Sequence, residues 1–68
     1  MRVNINGEEA SLPGDAGLLQ VLGLRNIDVS HNGVAVAVNN RVVPRHKWDS
    51  FKLKENDNIL IIKATQGG

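Results

Sequence analysis

The chain has 68 residues and a mass of 7.4 kDa, a length that favours one small domain. Hydrophobic residues make up 41% and charged residues 22%, so an aliphatic core is available and disorder is not expected. The absence of cysteine excludes disulfides, thiolate metal sites and a side-chain persulfide. The formal charge is +1 and the basic residues look scattered, which argues against nucleic acid as the main partner.

The first twelve residues alternate around Asn6-Gly7, a dipeptide that favours the tight turn of a β-hairpin. Pairing across this turn sets Val3 opposite Ala10 and Met1 opposite Leu12, all toward one apolar side. We therefore expect an opening hairpin.

A short helix is predicted next, because Leu18, Val21 and Leu22 recur at helical spacing. Asp15 is the expected N-cap, since its carboxylate suits the free backbone N–H groups at a helix start. Gly23 with Arg25 is the expected stop. A helix of two turns is stable only when its apolar stripe packs on a sheet.

A second hairpin is predicted from Val34–Val38, the turn Asn39-Asn40 and the return Arg41–Val43. Pro44 limits the return strand to a sheet edge, and Arg45–Phe51 is expected to be irregular or briefly helical. Trp48 is predicted to cover the core. The apolar run Ile59–Ile62 indicates a central strand, approached through a turn that Asp57 organises.

This order predicts an α+β fold of the β-grasp (ubiquitin-like) kind, a mixed sheet of four to five strands on one short helix. Its last strand is expected at the centre of the sheet, parallel to the first. We predict one domain over residues 1–64 and a mobile tail over residues 65–68, because the tail has no apolar anchor and ends in two glycines.

The sequence has no nucleophile elbow, P-loop or dinucleotide fingerprint, so no enzyme activity is predicted. His31 and His46 are interpreted as surface residues rather than metal ligands, and no bound metal or cofactor is expected. Neither a leader nor an apolar run near 18 residues is present, which favours a cytoplasmic location and no membrane contact.

The terminal Gly67-Gly68 is the feature of the sequence that suggests a chemical role. A free α-carboxylate is unreactive at neutral pH until it is activated, for example as an acyl-adenylate made from ATP. Glycines without Cβ atoms fit a narrow tunnel toward another protein's ATP site. The alternative interpretation is an inert terminus.

Several motifs together resemble the ThiS family, the sulfur carrier proteins of thiamine biosynthesis. They are the opening Asn6-Gly7-Glu8, Val36-Ala37-Val38-Asn39, Val43-Pro44-Arg45, Trp48 and the terminal Gly-Gly. One departure is Asn56, where the family usually has Gly. Because Asn tolerates the left-handed conformation, we expect that turn to be preserved.

The resemblance implies a carrier rather than an enzyme. A ThiF-like adenylyltransferase would adenylate Gly68 with ATP, sulfur relayed from a cysteine desulfurase would make a thiocarboxylate, and thiazole synthase would use it. Thr65, Gln66 and Gly67 would thread into the partner. The free protein is expected to be a monomer.

By analogy with ubiquitin-like proteins, Ile59 and Ile61 would face the helix. The docking face for partners would then be the open side of the sheet, formed by Leu60, Ile62, Ala35, Ala37 and Val42. The alternative is that both sides of these strands are buried.

Three other functions stay open at this stage. They are the small subunit of molybdopterin synthase, a ubiquitin-like modifier that forms isopeptide bonds, and a plain β-grasp binding module with an inert tail.

Overall fold

The computed structural model describes residues 1–29 and 33–63. The elements are β1 (Arg2–Ile5), β2 (Glu8–Ser11), α1 (Leu18–Leu24), β3 (Val34–Val38), β4 (Arg41–Val42) and β5 (Asn58–Lys63), with a short 3-10 helix at Arg45–Lys47. The strands form one mixed sheet in the order β2-β1-β5-β3-β4. Strand β5 lies at its centre, parallel to β1 and antiparallel to β3. The predicted β-grasp fold is confirmed.

The opening hairpin has the predicted register, with Val3 opposite Ala10 and Ile5 opposite Glu8. Asn6 and Gly7 both have positive φ angles, 51° and 85°, as the two-residue turn requires. Beyond the strands, Met1 and Leu12 exchange backbone hydrogen bonds of 2.6 and 2.8 Å. The hairpin therefore continues to the first residue.

The core lies between the sheet and α1. Alternate residues of each inner strand point toward the helix and are buried, whereas their neighbours point to the other side of the sheet. The largest fully buried side chains are Val3, Ile5, Leu18, Val21, Leu22, Val36 and Ile59. The predicted helix stripe of Leu18, Val21 and Leu22 is confirmed.

The prediction that Asp15 caps α1 is wrong. The helix begins at Leu18, and its N-cap is Gly17, which supplies no side-chain bond. The reason is tertiary pairing: Leu18 N donates to Phe51 O at 3.0 Å, and Leu53 N donates to Ala16 O at 3.1 Å. These bonds hold Ala16 and Gly17 in a bridge to the segment of Lys52, so the helix starts only after Gly17.

The predicted helix stop is also displaced. Gly23 lies inside α1, and Asn26 takes the left-handed position after the helix, with φ 56°. Asn26 N donates to Gly23 O at 3.1 Å and Ile27 N donates to Leu22 O at 2.9 Å. This is a Schellman motif, in which Asn replaces the more common Gly.

The second hairpin and the core cover are as predicted. Asn39 and Asn40 have φ angles of 51° and 69°, β4 is an edge strand, and it ends before Pro44. Trp48 is only 3% exposed, and its Nε1 donates to Val43 O at 2.8 Å. In residues 1–29 and 33–63, no helix is long and apolar enough to cross a membrane.

Candidate functional site

The open side of the sheet carries an apolar strip across its three strands β5, β3 and β4. Ala37 of β3 is opposite both Leu60 of β5 and Val42 of β4, so these three side chains form one row across the sheet. Ala35 opposite Ile62 forms the next row. We call these five residues the open face.

The open face is accessible to a partner. Leu60, Ile62 and Val42 are 48%, 54% and 76% exposed, Ala35 is exposed and Ala37 is half-buried. On the other side of the same strands, Ile59 and Ile61 are buried toward the helix. The expected division of the strand into a core side and an open side is thus what the structure has, and burial of both sides is excluded for Leu60 and Ile62.

The other half of the same side of the sheet is polar. Arg2 and Asn4 of β1 and Glu9 and Ser11 of β2 occupy it, and Arg2 lies 3.9 Å from Glu9. The apolar strip therefore has a defined border at β5, as an apolar contact area with a polar rim has at a protein interface.

Asn6 holds the middle of β5 on the β1 side. Strand β1 ends at Ile5, but the Asn6 side chain continues the pairing: Ile61 N donates to its Oδ1 at 2.8 Å, and its Nδ2 donates to Ile61 O at 3.3 Å. Asn6 N also donates to Ile59 O at 2.9 Å. The strand that leads to the carboxyl terminus is therefore hydrogen-bonded beyond the end of its neighbour.

Asn39 and Asp57 hold the start of β5. Asn39 Oδ1 accepts from Asn58 N at 2.9 Å, while Asn39 Nδ2 donates to Asp57 Oδ1 at 2.9 Å. The other Asp57 oxygen accepts from Lys54 N at 2.7 Å, which confirms that Asp57 organises the turn. Asn56 has a φ of 68°, so the turn is preserved with Asn at that position, as predicted.

The model of the ThiS family matches residues 3–68 of the chain. The chain belongs to the ThiS family. A sulfur carrier protein ThiS of Escherichia coli (strain K12) is 33% identical over 45 residues, which are 66% of this chain and 68% of that protein.

Solved structures of a thiamine biosynthesis protein of Geobacter metallireducens share the fold. The crystal structure of this ThiS superposes with a TM-score of 0.80 at 20% identity and covers 100% of both chains. The solution structure gives a TM-score of 0.79 at 21% identity, covering 100% of this chain and 88% of that one. At these identities the likeness concerns the fold alone.

The tail predictions for this ThiS-family chain, on Thr65, Gln66, Gly67 and Gly68, lie outside the described residues, as does His31. The division into residues 1–64 and 65–68 therefore stays a prediction. His46 is exposed. Across the described part of the chain, no group of three or more His, Cys, Asp and Glu side chains is placed to hold a metal ion.

Two features of this ThiS-family chain were not predicted from its sequence. The side-chain bonds of Asn6 and Asn39 were not foreseen, although Asn rather than Gly at the first position of both turns was a signal. The view that the basic residues are scattered is wrong for the folded chain, because Arg41, Lys47, Lys52 and Lys54 line one groove. Their grouping in residues 41–54 was visible in the sequence.

Proposed function

We propose that this chain carries sulfur for thiamine biosynthesis as a thiocarboxylate on Gly68. The supporting observation is the match to the ThiS family, which extends through the terminal Gly67-Gly68. The chain has no cysteine, so the backbone carboxylate is the group it offers for sulfur attachment. In this role the protein is a co-substrate of other enzymes rather than a catalyst.

The chemistry follows from the low reactivity of a carboxylate. At neutral pH the α-carboxyl is an anion, and a nucleophile does not displace an oxide from it. In the proposed cycle a ThiF-like adenylyltransferase joins the carboxylate to AMP and releases pyrophosphate from ATP. The terminal sulfur of a persulfide formed by a cysteine desulfurase then attacks the adenylate carbonyl and displaces AMP, and a thiol reductant cleaves the S–S bond of the resulting acyl disulfide to leave the thiocarboxylate. Thiazole synthase takes the sulfur from this thiocarboxylate.

The domain's part in this cycle is to present the tail. Strand β5 is central and hydrogen-bonded on both sides, and the proposed tail follows this strand in the sequence. The open face lies on the same strand, at Leu60 and Ile62. We propose that both the adenylyltransferase and thiazole synthase dock on this face while the tail, Thr65, Gln66 and Gly67, reaches their sites.

Intact-mass spectrometry tests the sulfur-carrier proposal. The chain is incubated with ATP, a ThiF-like enzyme, a cysteine desulfurase and excess cysteine, which supplies both the sulfur and the reducing thiol, beside a matched chain that lacks only Gly68. We expect one exchange of oxygen for sulfur in the full chain and none in the shortened one. Adding thiazole synthase with its other substrates should return the carboxylate.

Other outcomes identify the alternatives. If neither adenylate nor thiocarboxylate forms with enzymes that modify a known carrier, the chain is a binding module. Isopeptide conjugates to lysines in an extract would identify a modifier. Consumption of the thiocarboxylate by the large subunit of molybdopterin synthase, and not by thiazole synthase, would assign it to that pathway.

A further inference from the structure

Positive charge is concentrated in one segment of the chain. Five of its eight basic residues fall within residues 41–54, namely Arg41, Arg45, Lys47, Lys52 and Lys54. Asp49 is the only acidic residue of that segment, although the whole chain has a formal charge of only +1. The rest of the chain therefore has more acidic than basic residues, and the positive charge is concentrated in this one segment.

The fold gathers four of these cations around a groove of about 460 Å³. The groove lies between the edge strand β4 and the segment that follows it. Val42, Val43, Pro44 and Phe51 provide apolar lining, and Arg41, Lys47, Lys52 and Lys54 provide the positive charges. Such a groove suits a ligand with an apolar group and several negative charges.

The charges of the groove are available to a ligand. Within residues 1–29 and 33–63, none of Arg41, Lys47, Lys52 and Lys54 forms an ion pair. Asp57 is the acidic residue of the lining, and both of its oxygens already accept hydrogen bonds, from Asn39 Nδ2 and Lys54 N. The groove thus has an uncompensated positive charge.

The groove is continuous with the open face. Val42 belongs to both: it is 76% exposed, it stands in the row with Ala37 and Leu60, and it lines the groove. A protein that covers the open face therefore reaches the groove by extending past the edge of β4.

We propose that this groove binds an acidic segment, with an apolar anchor residue, of a protein that docks on the open face. The apolar side chain contacts Val42 and Phe51, and the flanking carboxylates face Lys47, Lys52 and Lys54. The link to docking rests on the proposed function, whereas the preference of the groove for an acidic peptide does not.

A second copy of this chain is a weaker occupant. Its own exposed acidic edge is β2, where Glu8 already lies 3.1 Å from Arg25 and Glu9 lies 3.9 Å from Arg2. Nucleic acid is also less suited, because the lining presents aliphatic side chains and one aromatic ring rather than a row of aromatic side chains for base stacking.

A titration followed by NMR tests the proposal on the ¹⁵N-labelled full chain at low salt. The probe is a short synthetic peptide in which Glu and Asp surround a central Leu, and the control peptide has Gln and Asn in their place. We expect saturable shifts of the amides of Arg41, Lys47, Phe51 and Lys52 with the acidic peptide only. Raising the salt concentration should weaken this binding, since exposed charges are screened.

Two double variants remove equal charge at opposite ends of the sheet, one near the edge strand β4 and the other near the edge strand β2. Lys47→Gln with Lys54→Gln should weaken peptide binding about fivefold, as expected for two exposed ion pairs. Arg2→Gln with Arg25→Gln, at the far edge, should leave it unchanged. Thermal unfolding followed by Trp48 fluorescence checks that both variants fold.

Several results would overturn the proposal. They are equal shifts with the neutral peptide, no salt dependence, equal weakening in both double variants, tighter binding of a single-stranded oligonucleotide to the same amides, or a dimer in sedimentation that Lys47→Gln with Lys54→Gln abolishes. The mass-spectrometry experiment does not involve the peptide, so failure of sulfur transfer and failure of peptide binding are distinguished.

Discussion

Two turn residues, Asn6 and Asn39, each perform two tasks. Both adopt a φ of 51°, which Gly or Asn accepts at low cost, and both use the side-chain amide to bond the backbone of β5. Gly would satisfy only the first requirement. The second explains why Asn is useful at these two positions.

Asn6→Gly should isolate the second task. The variant keeps the turn but leaves Ile61 N–H and C=O without their Asn6 partner, so we expect a loss of about 1–2 kcal/mol in the free energy of unfolding. Urea unfolding followed by the fluorescence of Trp48, the only tryptophan, provides the measurement.

Asn40→Gly is the matched control for this prediction. Asn40 has a φ of 69°, and its side chain makes no hydrogen bond within the described part of the chain. We expect its stability to stay within about 0.5 kcal/mol of the parent. Equal losses in both variants would mean that the cost comes from the glycine backbone and not from the bonds to Ile61.

The sequence predicts the positive φ angles of these Asn residues better than it predicts their side-chain hydrogen bonds. Positive φ at Asn6, Asn39 and Asn56 follows from the residue type and the turn position, and all three are observed. Asn6 bonds Ile61 because β1 ends at Ile5, which pairs with Ile59, whereas β5 continues to Lys63. This difference between the ends of the two strands is a property of the assembled sheet, so the local sequence pattern around Asn6 does not predict it.

At the scale of elements, α1 also has one property that the sequence predicts and another that depends on the rest of the fold. Its apolar stripe was predicted correctly, because periodicity reports which side is buried. Its ends were not, because the start is set by backbone pairing with Phe51 and Leu53, more than thirty residues along the chain. The stop depends on Asn26, which accepts the left-handed conformation, whereas Gly23, part of the expected stop, lies inside the helix.

Two glycines of the helix region, Gly23 and Gly17, test whether tertiary contacts set the ends of α1. A Cβ on Gly23 would meet no atom within 4 Å, and Gly23 lies within α1, so Gly23→Ala should stabilise the fold by about 0.5–1 kcal/mol. For a domain of this size that is a rise in Tm of roughly 2–8 °C, measured by thermal unfolding.

Gly17→Ala is the counterpart. A Cβ there would lie 3.3 Å from Phe51 O, the atom that accepts from Leu18 N. The substitution therefore presses on the contact that sets the start of α1, and we expect a lower Tm. A Tm gain equal to that of Gly23→Ala would show that this backbone contact does not constrain the helix start.

At the scale of the whole molecule, element order predicted more than composition did. The sequence of hairpin, helix, hairpin and strand implied a central β5, the analogy with ubiquitin-like proteins implied an open face, and both are observed. The positive groove was missed because charge was judged along the whole chain. Its four cations all lie within residues 41–54, and the net charge of +1 for the whole chain conceals this local excess of positive charge.

Docking on the open face gives the prediction that concerns the whole molecule. Ile62→Asp places a charge in the apolar strip, where Ile62 is 54% exposed, so binding of the adenylyltransferase and of thiazole synthase should weaken at least about tenfold. Because the side chain is half in solvent, stability should change by less than about 1 kcal/mol. Calorimetric titration with each partner and thermal unfolding measure the two effects.

Leu24→Asp makes the same chemical change elsewhere. Leu24 is 63% exposed at the end of α1, on the helix side of the sheet, so its substitution should leave both affinities unchanged. If Ile62→Asp and Leu24→Asp weaken binding equally, added negative charge rather than the open face is responsible. If Ile62→Asp unfolds the isolated domain, the open face contributes to the fold itself. Loss of affinity in Ile62→Asp alone, at an unchanged Tm, would assign partner docking to the side of β5 that the core does not use.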